Sequence, residues 1–336
     1  MKTSDSRDIV RRTLNFDSPA RIPRQTWILP WAEKKHPGWV SRLRREYPDD
    51  IVPSPVVYKK PPPLIGEKYT SGLFVDEWGC RFENPQDGVM GIVRDPVIKT
   101  WDDLENWNPP SETLSLDRDA VNAFCRDSDC FVYAGSWLRP LERFQFLRTM
   151  EQSLVDLIEE SAEMKELLNR IHSHYLKEAE LWAKTDVDAV ALMDDWGTQT
   201  GLLTSPETFR RLFLPMYRDY AEVAHSAGKF LFMHSDGWIT DIIPDLIQAG
   251  VDALNAQVFC MGVEDLGHRF RGRLTFWGEM DRQDLLPNGT KSEIEASVRL
   301  LFSSFYDKGG VIAQCEFGLQ AKPENVLCTQ KTWSRL

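Results

Sequence analysis

Apolar runs that stop abruptly at polar residues recur along the chain and alternate with amphipathic stretches. The clearest run covers residues 229–233, ends at His234-Ser-Asp236-Gly and precedes a helical pattern. Strands buried on both faces read as continuous apolar runs, and α/β enzymes place functional side chains at the carboxyl ends of such strands. We therefore predict a buried parallel strand that delivers His234 and Asp236 to a site. A helix cap and a turn are the alternative interpretation of these two residues.

Eight strands of this kind are predicted, and from residue 110 onward they alternate with helices. They cover residues 22–31, 50–52, 130–135, 188–193, 230–233, 251–255, 274–277 and 310–314. Such alternation indicates a parallel sheet with right-handed crossovers, and eight units favour a (β/α)8 barrel over an open sheet. The sequence has no G-x-G-x-x-G or P-loop motif, which weakens the open-sheet alternative.

The first 110 residues are less regular and form an N-terminal extension. Within it, residues 74–82 and 88–93 alternate in polarity and predict an antiparallel β-hairpin joined by residues 83–87. No linker flanks this segment. We therefore predict a single domain over residues 1–336.

Composition narrows the class of protein. The 40 Lys and Arg against 51 Asp and Glu give a net charge of -11, with no basic cluster that would bind nucleic acid. No apolar run approaches the roughly 18 residues that a membrane span needs. The six cysteines form no C-x-x-C pair and the first residues lack a signal peptide, so we expect a soluble cytoplasmic protein with free thiols. A homodimer is compatible with this composition.

A barrel would bring the residues that follow each strand to one face. The candidate substrate-binding residues among them, which would form the cavity wall, are Trp27, Trp31, Trp137, Trp196, Gln199 and Gln257. Aromatic walls suit a planar or apolar ligand, although each tryptophan alone could also be barrel core. Asp195 and Glu279 are the candidate catalytic carboxylates, with a helix cap as the alternative for Asp195.

The same strand ends predict a metal site. Its candidate ligands are His234, Asp236, Glu279 and Cys315. One imidazole, one thiolate and nearby carboxylates favour zinc over magnesium or calcium, which prefer oxygen ligands alone. Cys315 alone could instead be a small buried hydrophobic residue.

Over nearly its whole length the chain resembles the uroporphyrinogen decarboxylase superfamily, and within it the corrinoid-linked zinc methyltransferases. The resemblance rests on Asp194-Asp-Trp-Gly, His234-Ser-Asp-Gly and the segment 309–318, among others. The decarboxylases carry an arginine-rich segment after the first strand, where this chain has Leu29-Pro-Trp-Ala. The resemblance thus disfavours a tetrapyrrole polycarboxylate as substrate.

For the metal, the resemblance implies a His-x-Cys pair and a later cysteine as zinc ligands. His234 and Cys315 match two of these positions, while Asp236 replaces the first cysteine and makes the site harder. Glu279 is a plausible further ligand.

Three functions follow as hypotheses. The first is a zinc-dependent methyltransferase that exchanges a methyl group between a small methylated donor, such as an aromatic methyl ether, and a corrinoid on a partner protein. The second is a metal-free decarboxylase or lyase of the same fold, acting on a small carboxylated substrate and using Asp195 to hold a protonated substrate nitrogen. The third is a non-catalytic binding barrel, because fold alone does not determine function.

Overall fold

The computed structural model describes residues 5–336, so the first four residues of the predicted domain lie outside the described part. The strands are β1 (Arg24–Ile28), β2 (Ile51–Pro53), β3 (Gly72–Val75), β4 (Arg81–Asn84), β5 (Ile92–Asp95), β6 (Phe131–Tyr133), β7 (Ala189–Met193), β8 (Phe230–Ser235), β9 (Ala253–Ala256), β10 (Thr275–Trp277) and β11 (Val311–Phe317). The helices are α1 (Ser6–Leu14), α2 (Pro30–Lys35), α3 (Pro37–Glu46), α4 (Arg118–Asp127), α5 (Pro140–Arg148), α6 (Met150–Glu159), α7 (Ala162–Ala183), α8 (Pro206–Thr208), α9 (Leu214–Ser226), α10 (Ile243–Ala249), α11 (Val258–Met261), α12 (Val263–Phe270), α13 (Leu285–Asn288), α14 (Lys291–Phe305) and α15 (Pro323–Trp333). Short 3₁₀ turns at Trp101–Glu105 and Ser111–Leu114 and a π-helical turn at Phe209–Phe213 complete the regular structure.

Eight of the strands form one parallel sheet that curls into a nearly closed barrel. Their spatial order is β1-β11-β10-β9-β8-β7-β6-β2. At the seam between β1 and β2, the Gln25 side-chain amide donates to the Ile51 carbonyl over 3.0 Å, and the Asp50 N–H donates to the Arg24 carbonyl over 2.9 Å. The predicted (β/α)8 barrel is confirmed, because each of the eight strands predicted for the barrel overlaps one strand of this sheet.

Aromatic side chains fill much of the barrel interior. Phe131, Phe232 and Trp277 belong to a buried cluster that also contains the inward residues of β7, β9 and β11. The Trp277 ring lies 5.0 Å from the Phe232 ring and is stacked on the Trp137 ring at 6.3 Å. Barrel interiors are more often filled by branched aliphatic residues. The interior here therefore combines aromatic rings with small residues, the alanines of β7 and β9.

Helix α1 closes the amino-terminal end of the barrel. Its Val10 and Leu14 side chains belong to the interior cluster. On its other side, Arg7 and Arg11 donate to the buried Asp188 carboxylate over 3.0 and 2.6 Å, and the Val132 N–H donates to the same group over 2.9 Å. One carboxylate thus ties α1 to β6 and to the start of β7.

Several helices, α4, α7 and α14 among them, begin at a side chain that caps their first N–H groups. At the start of α14, the Thr290 hydroxyl accepts from the Glu293 N–H, and the Glu293 carboxylate accepts from the Thr290 N–H. Such a reciprocal pair satisfies N–H groups that a helix start leaves free. Between residues 5 and 336, no helix combines the length and apolarity needed to cross a membrane.

The N-terminal extension contains a three-stranded antiparallel sheet of β3, β4 and β5, where the sequence predicts a two-stranded hairpin. The first predicted strand, residues 74–82, is split by a turn. In this turn the Asp76 carboxylate accepts from the N–H groups of Trp78 and Cys80 over 3.0 and 2.8 Å, and Gly79 has a positive φ of 80°. Alternating polarity hid the turn because its residues happen to continue the strand pattern.

We expect Asp188→Ala to lower the free energy of unfolding by about 2 kcal/mol, since the buried Val132 N–H and two guanidinium groups lose their acceptor. Denaturant titration measures the change. The control is Asp265→Ala, which removes an exposed pair with Arg269 and should cost less than about 0.5 kcal/mol. Equal stability of the two variants would contradict this role of Asp188.

Candidate functional site

Three side chains that can bind a cation meet at the carboxyl ends of β7 and β8. Met193 pairs with His234 in the parallel register, so Asp195 and Asp236 lie just beyond the ends of neighbouring strands. The Nε2 atom of His234 lies 3.6 Å from an oxygen of Asp195 and 3.4 Å from an oxygen of Asp236. One ligand atom from each residue can be chosen so that all three lie within 4.8 Å of one another.

A hydrogen bond fixes which nitrogen of His234 faces this group. Asn255 on β9 donates its side-chain N–H to the Trp277 carbonyl over 2.5 Å, so its side-chain oxygen is the atom that faces His234. The Nδ1 atom of His234 lies 2.6 Å from that oxygen and must donate to it. Nε2 is therefore the nitrogen presented to Asp195 and Asp236.

The local charge favours a cation. Burial lowers the pKa of His234, but the carboxylates of Asp236 and Asp195 outweigh burial and leave this pKa raised. One buried oxygen of Asp236 lacks a hydrogen-bond partner among the described residues. A buried acceptor without a donor is costly, and a bound cation or proton would satisfy it.

Arg282 lies beside this group and was not predicted from the sequence. Its guanidinium contacts Asp236 and lies 3.1 Å from Glu279 and 3.2 Å from Glu316. Burial raises the pKa of Glu279 to about 8, against the opposing charge of Arg282. One guanidinium thus faces three carboxyl groups. Its positive charge reduces their mutual repulsion, so they can lie close together at the mouth.

Glu142 is a second site residue that sequence reasoning missed. The buried Asp194 carboxylate accepts from the N–H groups of Leu141 and Glu142 over 3.1 and 2.8 Å, which anchors the start of α5 beside β7. Burial raises the pKa of Glu142 to about 7, with a smaller contribution from the charge of Asp195. The sequence signal was the neighbouring Pro140, which is typical of a first helical turn.

The structure does not bring Cys315 to the metal-binding group. Residues 312 and 314 of β11 point into the barrel region, whereas Cys315 belongs to the cluster between barrel and helices and its thiol faces Thr329 on α15. Burial raises the pKa of this thiol. The prediction of Cys315 as a ligand is therefore wrong. Successive side chains of a strand point to opposite faces, so Cys315 faces the helices and is a buried hydrophobic residue. Glu279 reaches the site, but it faces Arg282.

The four predicted tryptophans divide between the site and the core. The Trp27 ring lies 5.3 Å from the His234 ring, and Trp137 lies 6.3 Å from Trp27. Trp31 packs beside His36 at 5.3 Å and does not line the mouth. Trp196 is fully buried between Phe209 and Phe213, with its indole N–H donating to Tyr217 over 2.8 Å. The cavity-wall prediction is therefore wrong for Trp196, and substrate contact by Trp31 stays a prediction.

The barrel mouth opens into a cavity of about 1030 Å³. Gln199 and Gln257 line it, as predicted, together with Asp236, Arg282 and Glu316. Among the described residues around this cavity, Arg282 is the only cation. Its charge is already opposed by carboxylates, so the cavity offers little to a polyanionic ligand.

The sequence and fold together identify the class of protein. Residues 73–334 match the uroporphyrinogen decarboxylase (URO-D) family model, and the chain belongs to this family. A solved methyltransferase from Methanosarcina mazei shares the fold over 98% of both chains, with a TM-score of 0.69 and 16% identity. Two weaker matches are a 3-keto-D-glucoside 4-epimerase from E. coli (TM-score 0.39, 14% identity, 65% of this chain and 83% of that chain) and the YdhT protein from Bacillus subtilis (TM-score 0.46, 10% identity, 97% and 87%). No curated protein sequence matches the chain.

We expect Trp196→Leu to lower the free energy of unfolding by about 3 kcal/mol, because it opens a cavity in the core and leaves the Tyr217 hydroxyl without the indole donor. Metal affinity should stay unchanged. The paired variant is Trp27→Leu, beside His234. It should weaken metal binding and change the free energy of unfolding less than Trp196→Leu does. Thermal melting and zinc titration of both variants measure the two effects, and a Trp196 variant with native stability would refute its assignment to the core.

Proposed function

We propose that the chain is a zinc-dependent methyltransferase that moves a methyl group between a small methylated compound and a corrinoid carried by a partner protein. The observation that carries the proposal is the group of Asp195, His234 and Asp236 at the mouth of a URO-D family barrel. The likeness in fold to a methyltransferase over nearly the full chain supports it.

The donor set fits a zinc ion. A neutral imidazole and two carboxylates are accepted zinc ligands, and three protein ligands leave a position for an exchangeable one. The unpartnered oxygen of Asp236 and the free Nε2 of His234 are the atoms that such an ion would satisfy. The ligand set predicted from the sequence included the Cys315 thiolate, which is a soft ligand. The set of one imidazole and two carboxylates is chemically harder, so it also accepts other divalent metals. When bound, zinc would supply Lewis acidity at an oxygen leaving group or lower the pKa of a bound water.

The chain's own residues prepare this site in three ways. Asn255 orients the imidazole, in the manner of the outer hydrogen bonds that position metal-binding histidines. Arg282 reduces the mutual repulsion of Asp236, Glu279 and Glu316. The mouth cavity gives a partner protein space to present a bulky cofactor near His234.

The alternative function is a metal-free decarboxylase or lyase, and Arg282 is the observation that favours it. A guanidinium in the mouth could hold a substrate carboxylate. However, Arg282 already faces three carboxyl groups of the chain itself, so a carboxylate ligand would have to compete with them. Metal content separates the functions. Stoichiometric zinc supports the methyltransferase, and its absence supports the lyase or a non-catalytic binding barrel.

We expect the purified protein to retain about one zinc ion per chain after loading and desalting, because each ligand contributes to a single site. His234→Ala and Asp236→Asn should lose it. Cys315→Ala is the matched control and should keep it, since that thiol faces α15. Elemental analysis measures all four proteins. Zinc-free wild-type protein, or full zinc in His234→Ala, would exclude the metal site.

Methyl transfer is tested with reduced cobalamin in place of the partner's corrinoid. A panel of methyl ethers, thioethers and methylamines serves as donors, and visible absorbance follows methylation of the cobalt. We expect transfer from at least one donor with the zinc-loaded wild type and with Cys315→Ala, but not with His234→Ala. Transfer by His234→Ala at the wild-type rate would contradict the proposed role of the site.

We expect Asn255→Leu to weaken zinc binding by about 10- to 100-fold, because the imidazole loses the acceptor that fixes its orientation. Asn255→Asp keeps an acceptor for Nδ1 and should retain zinc. Competition with a chromogenic chelator measures affinity, and circular dichroism verifies the fold of both variants. Equal affinities of the Leu variant and the wild type would show that Asn255 does not position His234.

A further inference from the structure

A second cavity of about 410 Å³ lies beside the mouth, between the barrel and the N-terminal extension. Met90 is the residue that lines both cavities among those described. The smaller cavity falls in the size range of small-molecule sites, whereas the larger one exceeds it. The two spaces therefore suit ligands of different size.

Aromatic rings form part of the walls of the second cavity. Rings from the extension, the loop after β6 and α7 meet there: Tyr58, Phe74, Trp78, Trp137 and Tyr175. Arg143 already lies over the Trp78 ring at 4.6 Å, which removes that face from a ligand. Tyr58 and Trp137 remain as walls against which a flat ring can stack.

The carboxyl groups of this cavity are already engaged by other groups of the chain. Arg143 is occupied by Asp76 at 2.5 Å and Glu77 at 3.3 Å. The buried Glu178 accepts from the Ser136 hydroxyl, and burial raises its pKa to about 7, so it carries only part of a negative charge at neutral pH. Asp76, Glu77 and Glu178 thus line the cavity, but each already has a partner within the chain.

Arg139 is, together with Lys68, a wall residue of this cavity that can bind an anion. It lines the cavity, and its ion pair with Glu142 spans a long 3.5 Å. Burial raises the pKa of Glu142 to about 7, which weakens the pairing further. A guanidinium with so loose a partner has hydrogen-bond donors left for a carboxylate.

The cavity also lies close to the metal-binding group. Trp137, in its wall, is 6.3 Å from Trp27, and Trp27 is 5.3 Å from His234. A single ring, that of Trp27, thus separates the Trp137 wall of the cavity from His234.

From these contacts we propose that the second cavity binds a small aromatic carboxylate, with its ring between Tyr58 and Trp137 and its carboxylate on Arg139. Under the proposed function, on which this assignment rests, the cavity is the site of the methyl donor, and the larger mouth is left to the corrinoid.

Benzoate is the probe, and isothermal titration calorimetry of the zinc-loaded full chain is the measurement. We expect benzoate to bind, and Arg139→Gln to weaken it by about tenfold or more, because a charge-assisted hydrogen bond is lost. Trp137→Leu removes a stacking surface and should weaken it by about threefold or more. Arg81→Gln is the matched control, on the exposed face of β4, and should bind like the wild type. Benzylammonium should not bind.

The inference is overturned if benzoate does not bind, if it binds the Arg139 and Trp137 variants as tightly as the wild type, or if benzylammonium binds better. Two variants on different walls are used so that misfolding of one, detected by circular dichroism, still leaves a result. Benzoate binding requires neither zinc nor a corrinoid. Normal benzoate binding without zinc or methyl transfer would therefore contradict the proposed function alone, while methyl transfer without Arg139-dependent binding would contradict this inference alone.

Discussion

A line of hydrogen bonds across the barrel interior is the interaction on which the site depends. It runs from the Ile51 carbonyl through the Gln25 amide to the indole of Trp277, and from the Trp277 carbonyl through Asn255 to His234. Each group is buried, so leaving any of them unpaired would cost free energy. The same bonds close the seam between β1 and β2 and hold the imidazole with Nε2 toward the mouth. The hydrogen bonds that close the barrel therefore also fix the orientation of His234.

Electrostatics determines what the site can accept. Asp195, Asp236, Glu279 and Glu316 concentrate acid at the mouth, and Arg282 faces three of them. Such an excess of carboxylates favours a cation over a polyanionic ligand. The URO-D family barrel therefore carries an acidic mouth in this chain, which agrees with the general rule that function is set by the site and not by the fold.

Strand prediction succeeded because burial on both faces leaves a strong signal. Buried parallel strands must be apolar almost throughout, and their last residues must turn polar where the cavity begins. The extension carries no such signal. The turn at Asp76 continues the alternating pattern, so the sequence predicts one strand where the structure has β3 and β4. Trp196 and Cys315 were misassigned for a related reason. Position after or within a strand was known, but the direction of the side chain depends on its exact register.

The sequence by itself determined the barrel and the placement of Asp195, His234 and Asp236 after neighbouring strands, whereas the grouping of Asp195 with the other two emerged from the structure. These follow from local hydrophobic pattern and residue type, which each segment carries on its own. Only the tertiary structure decided that Arg282 and Glu142 join the site and that Cys315 faces α15. Those placements depend on how separate helices and loops pack and share charge, and no short stretch of sequence encodes contacts between segments that are far apart in the chain.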